Sequence, residues 1–249
     1  HDARRQRQMC IRDSFNIALS LVKETPPNDF QIALYNNIAI CHNKLKQHKE
    51  EMEWLRKSLQ LTYKLVGKQN TDAARAFHNM GLCYKGMGMP DSALAYLQKG
   101  REMWQNEYGE RHPLLVKSNT SIAEVFIGME QQNTGLAYLD KAIEVAVGNG
   151  NTTTRGGGSP DLRVFNAELL PALKLKASTL ENEGDPAALW VYDETVSLID
   201  KIVAGYAYEK TQKNAVEEHY GIYRQAMVAS QRFASTPNDF EHMLNLSLI

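Results

Sequence analysis

The side chains able to do chemistry in this 249-residue sequence are three cysteines and seven histidines, and their spacing argues against a reactive centre. Cys41 and Cys83 stand 42 residues apart, and no CxxC, HExxH or Cys/His cluster accompanies them. Neither a disulfide nor a metal site follows from that arrangement, so both read as buried free thiols. His42 and His112 have structural explanations in the pattern described below. The glycine-rich stretch over 148–159, with Gly156, Gly157 and Gly158 adjacent, invites comparison with a phosphate-cradling loop. No Gly-Lys-Ser/Thr follows and no strand precedes it, so a flexible surface insertion over 148–160 is expected instead. Asn151-Thr152-Thr153 fits a glycosylation acceptor, a reading that needs a secretory context for which the sequence offers nothing. Glu50, Glu51 and Glu53 interleave with Lys49, Arg56 and Lys57 at helical spacings, the pattern of a solvated face with ion pairs. No catalytic residue, metal or cofactor is expected in this stretch of chain.

With 43% hydrophobic residues the chain can bury a sizeable core. Lys plus Arg number 28 against 29 for Asp plus Glu, and the net charge of -1 gives no electrostatic reason to expect nucleic acid or an anionic membrane as partner. No apolar run approaches a membrane span, and no secretory leader pattern opens the chain, so a cytoplasmic protein is expected. Residues 4–13, Arg4-Arg5-Gln6-Arg7-Gln8-Met9-Cys10-Ile11-Arg12-Asp13, are what one frame of a sequencing-library transposon adapter encodes. Residues 1–13 are therefore set aside as an artefact. The natural chain is expected to start near Ser14, inside a larger protein.

The elements that must position these side chains announce themselves by repetition. A shift of 42 superimposes Tyr35-Asn36-Asn37-Ile38-Ala39 on Phe77-His78-Asn79-Met80-Gly81 and on Asn119-Thr120-Ser121-Ile122-Ala123. It also pairs Cys41 with Cys83, and Leu55 with Leu97 and Leu139. Phe77, Met80, Gly81 and Tyr84 fall on one helical face, and Ala93, Leu97 and Gly100 form the stripe of a second helix, with Ala142 at the Gly100 position one period on. Gly81 and its counterparts Ala39 and Ala123 are small where the two helices would approach. Met89-Pro90-Asp91-Ser92 breaks the helices, with Asp91 or Ser92 as N-cap. Trp54, Trp104 and Trp190 are expected to pack inside the helix pairs. A further copy at Ala188-Leu189-Trp190-Val191-Tyr192 aligns with Ala93-Leu94-Ala95-Tyr96-Leu97 once the glycine-rich insertion is removed.

The unit Phe77-His78-Asn79-Met80-Gly81-Leu82-Cys83-Tyr84, Gly88, Ala93 to Gly100 resembles the tetratricopeptide repeat. Tyr108-Gly109-Glu110-Arg111-His112-Pro113 resembles the surplus of the extended 42-residue repeats of kinesin light chains and many bacterial proteins. The resemblance implies an all-α, right-handed superhelical solenoid of antiparallel helix pairs, each burying its apolar face against a neighbour. The expected organisation is an imperfect helix near 14–24, tetratricopeptide repeats within 14–147, a variant repeat and long helices over 161–235, and a truncated helix start over 236–249. In such stacks the row Asn36, His78 and Thr120, with Asn37, Asn79 and Ser121 beside it and Lys85 two turns on, faces the concave groove. The implied function is to hold a peptide or neighbouring domain by polar contacts along that groove. Residues 160–235, with Tyr192-Asp193, Leu198-Ile199-Asp200, Tyr223 and Ala226, are similar to the helical arm that precedes a CHAT domain, a caspase-like peptidase module, in bacterial proteins. That resemblance implies a regulatory arm bound to a downstream domain of the same chain, or the accessory half of a peptidase whose catalytic residues have no counterparts here. A self-associating scaffold is the remaining alternative.

Overall fold

The computed structural model describes residues 17, 19, 20, 26–147, 166–205 and 209–233. Among them the regular structure is helical and no strand occurs. Three helix pairs stand where the period predicts: α1 (Asp29–Lys44) with α2 (His48–Leu65), α3 (Thr71–Gly86) with α4 (Pro90–Tyr108), and α5 (Pro113–Gly128) with α6 (Gln132–Val147). A fourth pair, α7 (Asn166–Glu183) with α8 (Ala188–Ala204), is followed by α9 (Glu209–Phe233). The readings made for 1–13, 148–160 and 236–249 lie outside the described residues, as does most of 14–24. The helices fall into two compact units, His1–Glu110 with α1 to α4 and Arg111–Ile249 with α5 to α9.

The period is written most plainly into the helix ends. Asn28, Asn70 and His112, spaced by 42, are the N-caps of α1, α3 and α5. Asn28 Oδ1 accepts from the Gln31 amide at 3.2 Å, Asn70 Oδ1 from the Ala73 amide at 2.8 Å, and His112 Nδ1 from the Leu114 amide at 3.2 Å. Each satisfies an amide that the first helical turn leaves without a partner. The His-Pro pair is thus a cap followed by a proline at the first helical position, where no amide is missed. The second helices are started differently. Met89 caps α4 with no side-chain bond, Pro90 opens the helix, and Asp91 lies in the first turn, so neither Asp91 nor Ser92 is the N-cap expected for them. Pro90 opens the helix at a position where no amide is missed, and Asp91 acts through its charge on the helix dipole.

The first helix of each pair ends in a left-handed residue, Lys46 (φ 58°), Gly88 (φ 71°) and Glu130 (φ 60°), again 42 apart. The amides of Gln47, Met89 and Gln131 then reach back to the carbonyls of His42, Tyr84 and Phe126 at 2.9, 3.0 and 2.9 Å, the closing bond of a Schellman turn.

Within a pair the helices cross on small residues. A Cβ on Gly81 would lie 2.6 Å from Leu97 Cγ and 3.0 Å from the Ala93 carbonyl oxygen. In the third pair the glycine sits on the opposite helix: a Cβ on Gly135 would lie 2.5 Å from Ile127 Cγ1 and 3.2 Å from the Ala123 oxygen. Phe77, Gly81, Ala93 and Leu97 are buried in the second pair, with Tyr84 half-buried, and Ala123, Leu139 and Ala142 are buried in the third. Two clusters close the unit cores. Ala39, Met52, Leu55, Phe77, Met80 and Cys83 form one, and Leu139, Leu173, Val191, Tyr192, Ile199 and Ala226, among others, form the second.

The carboxyl-terminal helices are tied together by two phenol–carboxylate bonds. Tyr223 Oη on α9 donates to Asp200 Oδ1 on α8 at 2.7 Å, and Tyr192 Oη donates to Glu181 Oε2 on α7 at 2.6 Å. Burial first, then the carboxylate each phenol faces, holds both tyrosines well above the usual phenol range.

Candidate partner-binding site

The polar row read from the first helices is largely inside the protein. Asn36, His78, Thr120 and Ser121 are 1%, 1%, 5% and 8% exposed, which leaves them no open groove to line. The physical reason is a volume match repeated every 42 residues. Asn36 faces Ser58, His78 faces Gly100, and Thr120 has Ala142 at the corresponding place, so a larger polar residue on the first helix sits opposite a small one on the second. Asn36 Nδ2 donates to Ser58 Oγ at 2.8 Å and to the Ile32 oxygen at 3.2 Å. The His78 ring lies 5.2 Å from the Trp104 ring, and a Cβ on Gly100 would come within 3.1 Å of the His78 amide nitrogen. Thr120 Oγ1 donates back to the Val116 oxygen at 2.8 Å. Of the remaining members, Asn37 is exposed and Asn79 and Lys85 are half-buried.

An open cleft lies instead in the second unit, where the spacing of three helices turns eight side chains toward one volume of about 260 Å³. α6 contributes Asp140, Ile143 and Glu144, α7 contributes Leu173 and Lys176, and α8 contributes Trp190, Val191 and Glu194. Ile143, Leu173 and Val191 are buried and make its apolar wall. Trp190, expected to pack in a helix pair like Trp104, is 38% exposed at the cleft, whereas Trp104 is 1% exposed. It follows Leu189 on the outer side of α8, while Tyr192 takes the fully buried place of Leu97.

Lys176 is only 8% exposed; its Nζ lies 2.6 Å from Asp140 Oδ1 and 5.2 Å from the centre of the Trp190 ring. Its methylene stem is covered while the ammonium keeps one carboxylate partner, the usual way to bury a lysine. Three carboxylates stand against this one ammonium, leaving the lining two negative charges in excess. Burial of its carboxyl holds Glu194 above the ordinary carboxylate range, with Lys176 opposing and Asp193 adding to the rise. The Glu194 side chain as a whole remains exposed, so solvent screens much of that effect. An aromatic face, an apolar wall and surplus carboxylates together suit a cation carried on an apolar stem.

Two family models described as tetratricopeptide repeat match the sequence, one over residues 72–146 and one over 32–64. The chain carries tetratricopeptide repeats. Several solved structures are similar in fold. BtubC (BKLC) from P. vanneervenii shares 14% identity at a TM-score of 0.61, over 82% of this chain and 79% of that one. The kinesin light chain TPR-like repeats of Podosopora anserina share 13% identity at a TM-score of 0.58, over 88% and 95%. A Rap protein complexed with Competence and Sporulation Factor shares 10% identity at a TM-score of 0.63, over 94% and 68%. No curated protein matches the sequence. No helix among the described residues is long and apolar enough to cross a membrane.

The tetratricopeptide pattern explains what the sequence reading missed. The cleft residues Asp140 and Glu144 lie on a repeat helix whose inward face is apolar, so their partners on α7, beyond the glycine-rich insertion, were out of register with any period. The excess of carboxylates near Trp190 was the only signal available. The sequence also placed Glu51 on a solvated face, yet it is 2% exposed. Glu51, His48 and Cys83 form the one group among the described residues whose donor atoms could hold a metal ion.

Proposed function

We infer that this chain is a protein-interaction scaffold that holds a segment of a partner protein, with no catalytic role for the stretch described. The observation that carries the reading is the cleft of the second unit, whose exposed Trp190 and surplus carboxylates suit an arginine or lysine side chain of that segment. The cation would meet Glu144 and Glu194 while its stem lies on Trp190 and the apolar wall, with Lys176 holding Asp140 in place. The repeats support it, because stacked helix pairs expose long rigid surfaces suited to extended ligands. The Rap protein similar in fold was solved with Competence and Sporulation Factor bound, which supports a peptide as the class of ligand. In the first unit the accessible members of the polar row, Asn37, Asn79 and Lys85, are further contact positions. Asn36 and His78 then act by fixing the helices that present them.

The test is a titration of the full chain with a capped heptapeptide of six alanines and a central arginine, following the Trp190 indole N–H by NMR. A saturable shift is expected, weakened at least several-fold by Glu194→Gln and absent when norleucine replaces the arginine. Equal shifts from the arginine and norleucine peptides would defeat the cationic reading, and no shift from either would defeat the site. A second reading makes these helices the regulatory arm of a caspase-like peptidase. It rests on the sequence pattern of Tyr192-Asp193, Leu198-Ile199-Asp200, Tyr223 and Ala226, and an open reading frame continuing into a His- and Cys-bearing domain would support it.

A further inference from the structure

The first unit holds a polar cluster that the repeat does not require. By the 42-residue offset, Glu51 occupies the place of Ala93 and Gly135, where the two helices of a pair come closest. Cys83 occupies the place of Val125, and His48 that of Pro90. Ala93, Gly135, Val125 and Pro90 thus fill these places elsewhere in the same chain with small or apolar side chains, whereas α2 and α3 bring polar ones together. Here it contains a carboxylate that is 2% exposed, a fully buried thiol and an imidazole.

The three side chains converge. His48 Nδ1 lies 3.1 Å from Glu51 Oε2, and a ring nitrogen of His48, a carboxylate oxygen of Glu51 and Cys83 Sγ all lie within 4.8 Å of one another. Glu51 Oε1 accepts from Asn43 Nδ2 at 2.9 Å, which fixes the carboxylate from behind while its other oxygen faces the histidine. The His48 ring rests against Gly86, where a Cβ would collide with Cε1, so the ring's place depends on that glycine. Cys83 Sγ donates to the His48 carbonyl oxygen at 3.3 Å. Its thiol is pushed up to about 12, by burial first and by the facing Glu51 second. A carboxylate and a thiol are thus set against each other in a place nearly closed to water.

We propose that His48, Glu51 and Cys83 are the protein ligands of a single divalent transition-metal ion of the zinc and cobalt(II) class, with water in the fourth position. Imidazole nitrogen, carboxylate oxygen and thiolate sulfur are the donors such ions take, at about 2.0–2.3 Å from the metal. A tetrahedron of that size has edges of roughly 3.3–3.8 Å, so the set needs to draw together by on the order of 1 Å. The His48 side chain is 22% exposed, which gives the ion a path in and the water a place. Asn43 becomes the outer partner that orients the carboxylate. Binding exchanges the Cys83 S–H bond for a metal–sulfur bond and releases the proton to solvent, while the cation neutralises thiolate and carboxylate together. The proposal is independent of the peptide cleft, whose residues all lie in the other unit.

The experiment is a cobalt(II) titration of the full chain carrying Cys10→Ser and Cys41→Ser, so that Cys83 is the only thiol. One equivalent of cobalt is expected to raise a thiolate-to-metal charge-transfer absorption that zinc then abolishes by displacement. Cys83→Val should remove the band and Glu51→Ala should weaken binding at least tenfold, both variants using residues of the kinds other repeats carry at these places. Should either fail to fold by circular dichroism, Cys83→Ser and Glu51→Gln give the same reading with less change in volume. The proposal is overturned if no band forms, if it persists without Cys83, or if uptake does not saturate at one ion per chain.

Discussion

Where α3 crosses α4, Gly81 faces Ala93 and Leu97 fills the space between, and one turn away His78 lies against Gly100 and Trp104. Where α1 crosses α2, on the same backbone plan, Ala39 and Glu51 stand in the places of Gly81 and Ala93, Asn36 is bonded to Ser58, and Thr62 stands in the place of Trp104. The second pair is closed by apolar bulk and aromatic contact, and the first by a chain of buried hydrogen bonds. The repeat therefore constrains how much volume each crossing holds, and leaves its polarity free wherever partners can be found.

The comparison breaks most visibly at its largest side chain. Trp104→Ala should destabilise the chain by about 3–5 kcal/mol, because a fully buried indole is lost and His78 is left beside a cavity. Thr62→Ala, at the equivalent place in the first pair, should cost far less, since only the bond from Thr62 Oγ1 to the Ser58 oxygen disappears. Urea unfolding of the two variants, followed by far-ultraviolet circular dichroism, measures both. Comparable losses would mean that the first pair relies on bulk as much as the second.

The crossing residue comes next. Gly81→Val should cost about 1–3 kcal/mol, since its Cβ enters space held by Leu97 and the Ala93 oxygen, and backbone cannot yield as a flexible side chain can. Adding Leu97→Ala to that variant should recover part of the Gly81→Val penalty if the clash is the cause. A purely additive double variant would instead implicate the helix propensity of the glycine site.

Much of this frame was legible before any coordinates. The period of 42 placed the three helix pairs, the small residue at Gly81, and the buried Leu97 and Leu139, because these obey a spacing that every repeat must satisfy. The groove row was misplaced for a related reason. Asn36, His78 and Thr120 are polar, and polarity suggested solvent, but each is matched by a small residue 22 positions later, a pairing visible only when both helices are compared. Glu51 misled in the same way: its neighbours Glu50 and Glu53 are exposed, and helical spacing alone could not separate the inward carboxylate from the outward ones. The cleft at Trp190 was hidden because its walls join a periodic helix to two helices beyond an aperiodic insertion.

An effect of similar size tests whether the buried hydrogen bonds of the first pair act as a unit. Ser58→Ala alone should cost about 1–3 kcal/mol, because the Asn36 amide loses its bond to Ser58 and keeps only the one to the Ile32 oxygen. Combining it with Asn36→Thr recreates the Thr120 and Ala142 combination of the third pair, in which the hydroxyl bonds to its own helix. The double variant should be more stable than the sum of the two single changes predicts. Strict additivity in a double-mutant cycle would show that the two residues do not depend on each other.

The smallest effect lies at the turns, where the pairs share one backbone conformation and differ in one residue. Gly88 adopts its left-handed conformation without steric conflict, but Lys46 and Glu130 hold the same conformation with a Cβ. A side chain there costs roughly 1–2 kcal/mol in the folded state, partly offset because glycine has more freedom to lose on folding. Lys46→Gly and Glu130→Gly should therefore each stabilise the chain by about 1 kcal/mol or less, and Gly88→Lys should destabilise it by a similar amount. Thermal unfolding of the three variants at one salt concentration separates this from charge effects if Lys46→Ala and Glu130→Ala are run beside them. The alanine variants remove the charge and keep the strain, so any gain they show belongs to electrostatics, and only the further gain on reaching glycine belongs to the turn.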